Sequence, residues 1–410
     1  MEIKPSRCHI YMKRLGFIFS SFIFFIFFFP LQVFTQTQWI SGKIVDEKGK
    51  SVPFVSIVNK AILKFSMADS AGNFSIQGEK GDSLLFSCIG FEIGNWVFRQ
   101  SGPIQVTLRS KTYSISGVTF EEMKAENLLR SAIRKFSRNY PQKTYTYQAF
   151  FRQSHQENKK WVRLVEVDLQ VMDLGYSGEE KMIVKQMRRS RVYERNKDIH
   201  GDHLAELFEE NTVHYPAKFF TNPFNLGRYR FKFDTTYVSD SVTRILFFLS
   251  SPDEIKVTKG FIDISLKDTA ILQTLSKTSP NKNFALERYE RSNWKFNEGS
   301  VSVKYQKVDD KYFLSSIQFY YEHDIYNPVF KTFDFKVKEN FDLWVYRVDL
   351  FQPVPSAEKF SFLSNLYRRQ YEYDAAFWEK YPPVIKHPIS AEIILDLERE
   401  FPLAEQFLEN

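Results

Sequence analysis

Between residues 161 and 350 the apolar residues recur with a period of two, and this constrains the fold more than any other feature of the chain. Tyr229, Phe231 and Phe233 alternate with Arg228, Arg230, Lys232 and Asp234. Val301, Val303 and Tyr305 alternate with Ser302, Lys304 and Gln306, and Phe333, Phe335 and Val337 with Asp334, Lys336 and Lys338. A helix repeats every 3.6 residues and cannot carry this pattern on one face. One buried and one wet face is the mark of an antiparallel sheet. Turn signals such as Asn297-Glu298-Gly299 and Val308-Asp309-Asp310-Lys311 predict hairpins in sequence order. About ten such strands would make a large curled sheet or half-barrel rather than a flat one. Aromatic residues, 17% of the chain with 42 Phe and 21 Tyr, suit a pleated surface. With 43% apolar and 26% charged residues the chain is neither disordered nor a bundle of membrane helices. Two cysteines exclude a disulfide scaffold or a cysteine-rich zinc module.

The first 35 residues read as an address. Lys4, Arg7, Lys13 and Arg14 precede the apolar run Leu15 to Phe34, the order of a secretory signal peptide, with cleavage expected after Thr35. Cys8 lies before the run and so cannot be a lipidated cysteine at the cleavage point. This segment carries four basic residues and one acid, so the net charge of +7 falls to +4 on the remainder. Export and the reduced charge both argue against nucleic acid. The expected location is periplasmic or associated with the outer membrane. Cys88, within the apolar run Leu84 to Ile89, is expected to be an inert core thiol.

Residues 38–110 alternate short apolar runs with Gly and Asp turns, which predicts a small β-sandwich. The order Ser41-Gly42-Lys43-Ile44-Val45-Asp46, Gly49, Val52-Pro53-Phe54-Val55-Ser56-Ile57, Asp69-Ser70-Ala71-Gly72-Asn73-Phe74, Asp82-Ser83-Leu84 and Ile89-Gly90-Phe91 resembles the carboxypeptidase regulatory-like domain, a transthyretin-like sandwich of exported envelope proteins. Met67-Ala68 stand where that family usually has Gly and Thr. The resemblance implies a fold and a docking or tethering role, and no catalysis.

Glu121–Tyr140 has Leu128, Leu129, Ala132, Ile133 and Phe136 at helical spacing and is expected to be a helix within a linker over 115–141. The large sheet is assigned to 142–355 and a helical or irregular tail to 356–410, with shorter helices expected at Asp202–Asn211 and Asp374–Tyr381. Gly260-Phe261-Ile262-Asp263-Ile264-Ser265 and Asp268-Thr269-Ala270-Ile271-Leu272 look like a strand pair of the half-barrel found in periplasmic lipoprotein carriers. The whole chain resembles exported proteins of unknown function that pair a regulatory-like module with a β-rich region. A transmembrane barrel would need apolar outward bands of about ten residues per strand, and the strands here carry three or four apolar positions.

Candidate chemistry is sparse. His203-Leu204-Ala205-Glu206 has the H-x-x-E spacing of a zinc metallocarboxypeptidase, with His323 as a distant third ligand, but that family places its catalytic domain before the sandwich. His200, His203 and His214 could also bind a metal adventitiously. There is no G-x-S-x-G elbow, phosphate loop or dinucleotide fingerprint. Lys181, Lys185, Arg188, Arg189, Arg191, Arg195 and Lys197 crowd one stretch, and Arg188, Arg189 and Arg191 are the candidate ligands for lipid or lipopolysaccharide phosphates. Glu166, Asp168, Asp334 and Asp349 fall on polar strand faces and read as solubilising. The expectation is thus a mainly β, non-catalytic envelope protein without cofactor or resident metal. It would dock on an envelope protein or on the inner face of the outer membrane. Two alternatives stand beside it: a carrier whose apolar face, with Tyr229, Phe231, Phe233, Phe333 and Phe335, binds acyl chains, and a zinc hydrolase.

Overall fold

The fold is that of a computed structural model, which describes residues 38–53, 55–62, 64–69, 71–88, 91–99, 102–109, 124–175, 180–193, 204–215, 219–222, 225–235, 241–249, 256–281, 293–350, 358–359, 366, 371–381 and 387–409. The expected leader, the linker 110–123, and His200 and His203 lie outside these residues.

The first seven strands form two packed layers. β1 (Gln38–Asp46) lies between β4 (Asn73–Gly78) and β7 (Ile104–Leu108). The facing layer runs β3 (Lys64–Met67), β2 (Ser56–Asn59), β5 (Ser83–Ser87), β6 (Gly94–Val97). Ile40, Ile44, Ile57, Phe74, Ile76 and Phe86 fill the space between them, so alternate residues of both layers make one dry core. The Asp turns work as their sequences suggest. Asp46 Oδ1 accepts the N–H groups of Lys48 and Lys50 at 2.9 and 2.8 Å, while Gly49 takes φ 77°. Gly42 is required for a different reason: a Cβ there would sit 2.1 Å from the Ile104 carbonyl oxygen across the parallel β1–β7 ladder. Cys88 is half-buried just beyond β5, less enclosed than a core thiol.

Ten strands build the large sheet: β8 (Tyr145–Glu157), β9 (Lys160–Asp173), β10 (Glu180–Arg189), β11 (Tyr229–Phe233), β12 (Val242–Leu249), β13 (Lys256–Ser265), β14 (Ile271–Pro280), β15 (Trp294–Val308), β16 (Lys311–Tyr326) and β17 (Phe333–Asp349). Their order is β11-β12-β13-β14-β15-β16-β17-β8-β9-β10, antiparallel throughout, and the sheet curls into a half-barrel. Extra residues at Asn297 in β15, Ser315 in β16 and Tyr346 in β17 shift the register and bend and twist those strands. β3 joins the large sheet through one pair, Lys64 with Arg347. A two-residue β18 (Glu358–Lys359) adds to β10. The protein is therefore mainly β, with few helices.

The linker helix is broken at Lys135 into α1 (Ala125–Arg134) and α2 (Phe136–Asn139). Leu128, Leu129 and Ala132 face the concave core, and Tyr140 Oη donates to the Ile271 carbonyl at 2.7 Å. α3 (Leu204–Glu209) packs Leu204, Leu207 and Phe208 into the same core. Among the described residues no helix is long and apolar enough to cross a membrane.

The C-terminal tail changes one expectation. α4 (Ala375–Lys380), α5 (Ala391–Leu397) and α6 (Leu403–Leu408) cover the outer face of β8, β9 and β10. Asp374 and Ser390 cap α4 and α5, accepting the N–H groups of Phe377 and Ile393. Glu166 and Asp168, expected to be solubilising, are therefore 0% and 2% exposed. Alternation marked two unlike faces correctly; a second layer then buried the polar one. Glu166 takes Arg152 Nε and Arg188 Nε at 2.6 Å each, and Asp168 accepts the hydroxyls of Tyr346 and Tyr381 at 2.6 and 2.5 Å. Burial raises the Asp168 carboxyl despite these donors.

Candidate functional site

The concave face of the half-barrel holds a cavity of about 860 Å³. It exists because inward positions of β13 and β14 carry small hydroxyl residues instead of core-filling ones. Thr258, Thr274, Ser276 and Thr278 line this wall with Gly299 opposite Thr278, and the Thr258 and Thr278 hydroxyls lie 3.1 Å apart across the ladder. Aromatic rings make the opposite surface. Phe220, on the segment after α3, packs edge-on against Tyr229 and at 4.9 Å from Phe247. Phe296, Phe319 and Tyr321 continue the aromatic surface along β15 and β16.

Charged groups mark the rim. Lys256 Nζ sits 4.1 Å over the Phe296 ring, and burial lowers its pKa. Glu206, Glu210 and His323 complete the lining. Tyr321 connects the cavity to a buried polar network, since its hydroxyl donates to Glu339. His155, Arg163 and Gln153 reach the other Glu339 oxygen at 2.8, 3.2 and 3.4 Å. The surface is amphipathic: apolar rings face hydroxyls, with a cation at one side.

Two other concavities are of comparable size. One, of about 630 Å³, lies where the sandwich meets β17 and α4, with Lys64, Lys185, Trp344, Tyr346 and Tyr381 in its wall. Burial and the nearby Arg347 lower Lys64 to about 8. The other is a groove of about 640 Å³ on the convex face of β11 to β14. There Leu246, Phe248, Phe261 and Leu275 are surrounded by Arg230, Lys232, Lys259 and Lys277. All four cations are exposed, and none forms an ion pair with a described residue.

The five aromatic residues named from the sequence do not form one surface. Tyr229 lines the large cavity, and Phe231 stacks on it with ring centres 6.0 Å apart and meets Phe220 edge-on. Phe233 is half-buried against the main core. Phe335 is buried in a separate cluster with Ile325 and Val337, and Phe333 is 54% exposed beside Tyr326. The arginine group also divides. Arg188 pairs with Glu166 and lies 4.7 Å from the Trp378 ring centre, while Arg191 pairs with Glu409 at 2.7 Å. Arg189 is half-buried, and Arg195 and Lys197 lie outside the described residues. Of the H-x-x-E pattern, Glu206 and His323 line one cavity and His203 lies outside the described residues. Asp349 binds Arg347 at 2.7 Å, and Asp334 is exposed. Phe220, Phe247, Phe296, Lys256 and the hydroxyl wall were missed. The available signal was the run Thr274, Ser276, Thr278, in which the inward side of an otherwise aromatic sheet carries no bulk.

No family model matches the sequence. No curated protein is similar to it at a significant level. Two solved structures show weak similarity. One, described as lipid–protein interactions in lipovitellin, has 8% identity and a TM-score of 0.24, and the match covers 55% of this chain. The chain spans only 27% of that lipovitellin chain. The other, from Bacteroides fragilis, is described as membrane-associated and of unknown function; it has 7% identity and a TM-score of 0.16, covering 77% of this chain and 97% of that one. Similarity of this degree says nothing about what the chain binds.

Proposed function

We propose that this is an exported, non-catalytic binding protein whose half-barrel holds a lipid-like amphipathic molecule. The observation that carries this is the concave cavity of about 860 Å³, within the roughly 300–1,000 Å³ of ordinary ligand sites. A molecule with an apolar body and a hydroxyl- or carboxylate-bearing end matches the aromatic wall, the hydroxyl wall and Lys256. The basic, apolar order of residues 1–35 supports export, and the two-layered sandwich over 38–109 supports the regulatory-like resemblance with its docking role.

Filling the cavity tests the ligand. Ser276→Trp is expected to weaken binding of a fluorescent fatty-acid analogue at least about tenfold, or 1.4 kcal/mol, with little change in thermal midpoint. Phe74→Leu, in the core of the sandwich, should leave binding unchanged. Native lipid should appear in mass spectra of the purified protein. No bound lipid and no analogue binding would overturn the reading.

The convex groove supports a second element, docking on an anionic bilayer surface. Apolar side chains ringed by cations match a headgroup layer, and each basic residue near such a surface contributes about 1 kcal/mol. Wild-type protein is expected to sediment with phosphatidylglycerol vesicles at low salt and not with phosphatidylcholine vesicles. Lys232→Glu with Lys259→Glu should cut this binding on the order of tenfold or more. Arg230 and Lys232, on the edge strand β11, also guard against sheet-to-sheet pairing, and salt-independent or absent sedimentation would overturn the docking element.

A further inference from the structure

We propose that Asp173, Glu180 and His214 form a binding site for one divalent transition-metal ion, separate from the ligand cavity. Asp173 ends β9 and Glu180 begins β10, directly opposite it in the ladder. His214 follows α3 in the segment that closes over them. All three are buried, at 3, 6 and 6% exposure, and one ligand atom from each falls within 4.8 Å of the others. His214 Nδ1 lies 3.6 Å from Asp173 Oδ2, and Nε2 lies 3.7 Å from Glu180 Oε1. The two distances run from different ring nitrogens, of which one can ligate a given ion; with one ligand atom per residue all three lie within 4.8 Å, so bonds of about 2.0–2.2 Å need a small inward turn of the side chains.

Charge balance points the same way. Two carboxylates share a buried pocket whose one described basic group is His214. The Gly175 N–H donates to Asp173 Oδ1 at 2.8 Å, and two phenols donate as well. Tyr145 Oη donates to Asp173 Oδ2 at 2.8 Å, and Tyr215 Oη donates to Glu180. One imidazole carries at most a single positive charge, so the described groups of the pocket do not offset two carboxylates. A divalent cation would offset both. The phenols then have the usual task of outer partners, which is to hold each carboxylate in one orientation.

A void of about 20 Å³ adjoins Asp173 and His214, walled by Tyr140, Tyr305 and Tyr312. That is room for one water molecule, which needs about 10–15 Å³ by this measure. One imidazole and two carboxylates leave a coordination position open, and the void lies where a water could fill it. An imidazole with two carboxylates suits zinc and manganese better than soft thiophilic ions.

The test uses the full chain after chelator treatment, with Zn²⁺ itself as probe and Mn²⁺ as a second. About one Zn²⁺ per chain is expected, with a thermal midpoint that rises on addition. At saturating metal, about a hundredfold above Kd, that stabilisation should be about 2.7 kcal/mol, a hundredfold change in the folding constant. His214→Gln should abolish uptake. Tyr215→Phe keeps all three ligands and should weaken it about 10–100-fold, as loss of an outer partner does. If His214→Gln does not fold, the wild-type stoichiometry and the Tyr215→Phe shift still decide the matter. Folded wild-type protein that takes up neither ion would overturn the proposal and leave His214 a bridge between two acids. So would uptake that is unchanged in Tyr215→Phe and His214→Gln, because the ion would then sit elsewhere.

Discussion

Glu166→Gln is expected to lower the unfolding free energy by about 3–5 kcal/mol, the usual cost of removing one member of a buried ionic group. Glu166 is fully buried and neutralises two guanidiniums, Arg152 from β8 and Arg188 from β10, whose side chains are only 9 and 10% exposed. Without the carboxylate, two like charges face each other beneath the tail. The tail should respond first. Arg152 also donates to the His387 carbonyl, and Arg188 lies 4.7 and 4.8 Å from the ring centres of Trp378 on α4 and Phe407 on α6. The same three residues thus hold β8, β9, β10 and both tail clusters. Urea unfolding gives the free energy, and limited proteolysis should show cleavage beyond residue 371 before any other site opens. The triple change Arg152→Met, Glu166→Leu, Arg188→Met removes the charges together and should recover most of the loss, because apolar replacements of a buried triad are often neutral or better. A single-variant loss below about 1 kcal/mol would mean the group behaves as a solvated pair.

The same region shows where the sequence could be read and where it could not. Period-two alternation gave about ten strands in sequential hairpins and marked stretches of β9, β11, β15 and β17, because each states its own pattern locally; the stretches from Phe333 and from Tyr346 are one strand, divided by the register shift at Val345/Arg347. The Asp turns at Asp46 and Asp69 were legible because a side chain bonding its own loop needs no distant partner. What covers a face is different information. Glu166 and Asp168 occupy positions that read as wet, yet they are enclosed by the C-terminal tail, which lies about two hundred residues further along the chain. The cavity was hidden for a related reason. Alternation assigns a residue to the concave face but does not say whether the opposing layer reaches it. Phe335 is filled around by Ile325 and Val337, while Thr274 and Ser276 are not, and only the curl of the sheet decides this.

Glu339→Gln should produce the second large loss, about 3–5 kcal/mol at neutral pH, and this one should depend on pH. Glu339 lies on the concave side of β17, fully buried. Burial alone would raise its pKa, but the His155 hydrogen bond and charge, with Arg163 and the Tyr321 hydroxyl, hold it well below the usual carboxylate range. A carboxyl held down in the folded state stabilises fully above its unfolded pKa of about 4.3 and loses that contribution as pH falls towards the folded value. His155 runs the other way. Burial lowers it, but Glu157 and Glu339 outweigh burial and raise it. Its contribution is therefore complete below about 6.5 and disappears as pH rises through the raised value. Both are present between roughly pH 5 and 6.5, so the gap between parent and Glu339→Gln should be widest there and should close in acid. The comparison isolates this group from Asp168 and Asp263, which burial raises and which both proteins share. Urea midpoints measured from pH 3 to pH 8 test it. A gap of constant size at every pH would place the cost in packing and overturn the electrostatic account. Tyr321 gives the loss a functional side as well, because its hydroxyl donates to Glu339 while its ring lines the cavity. A loosened network should therefore reach ligand affinity, in the direction of weaker binding, through that one shared side chain.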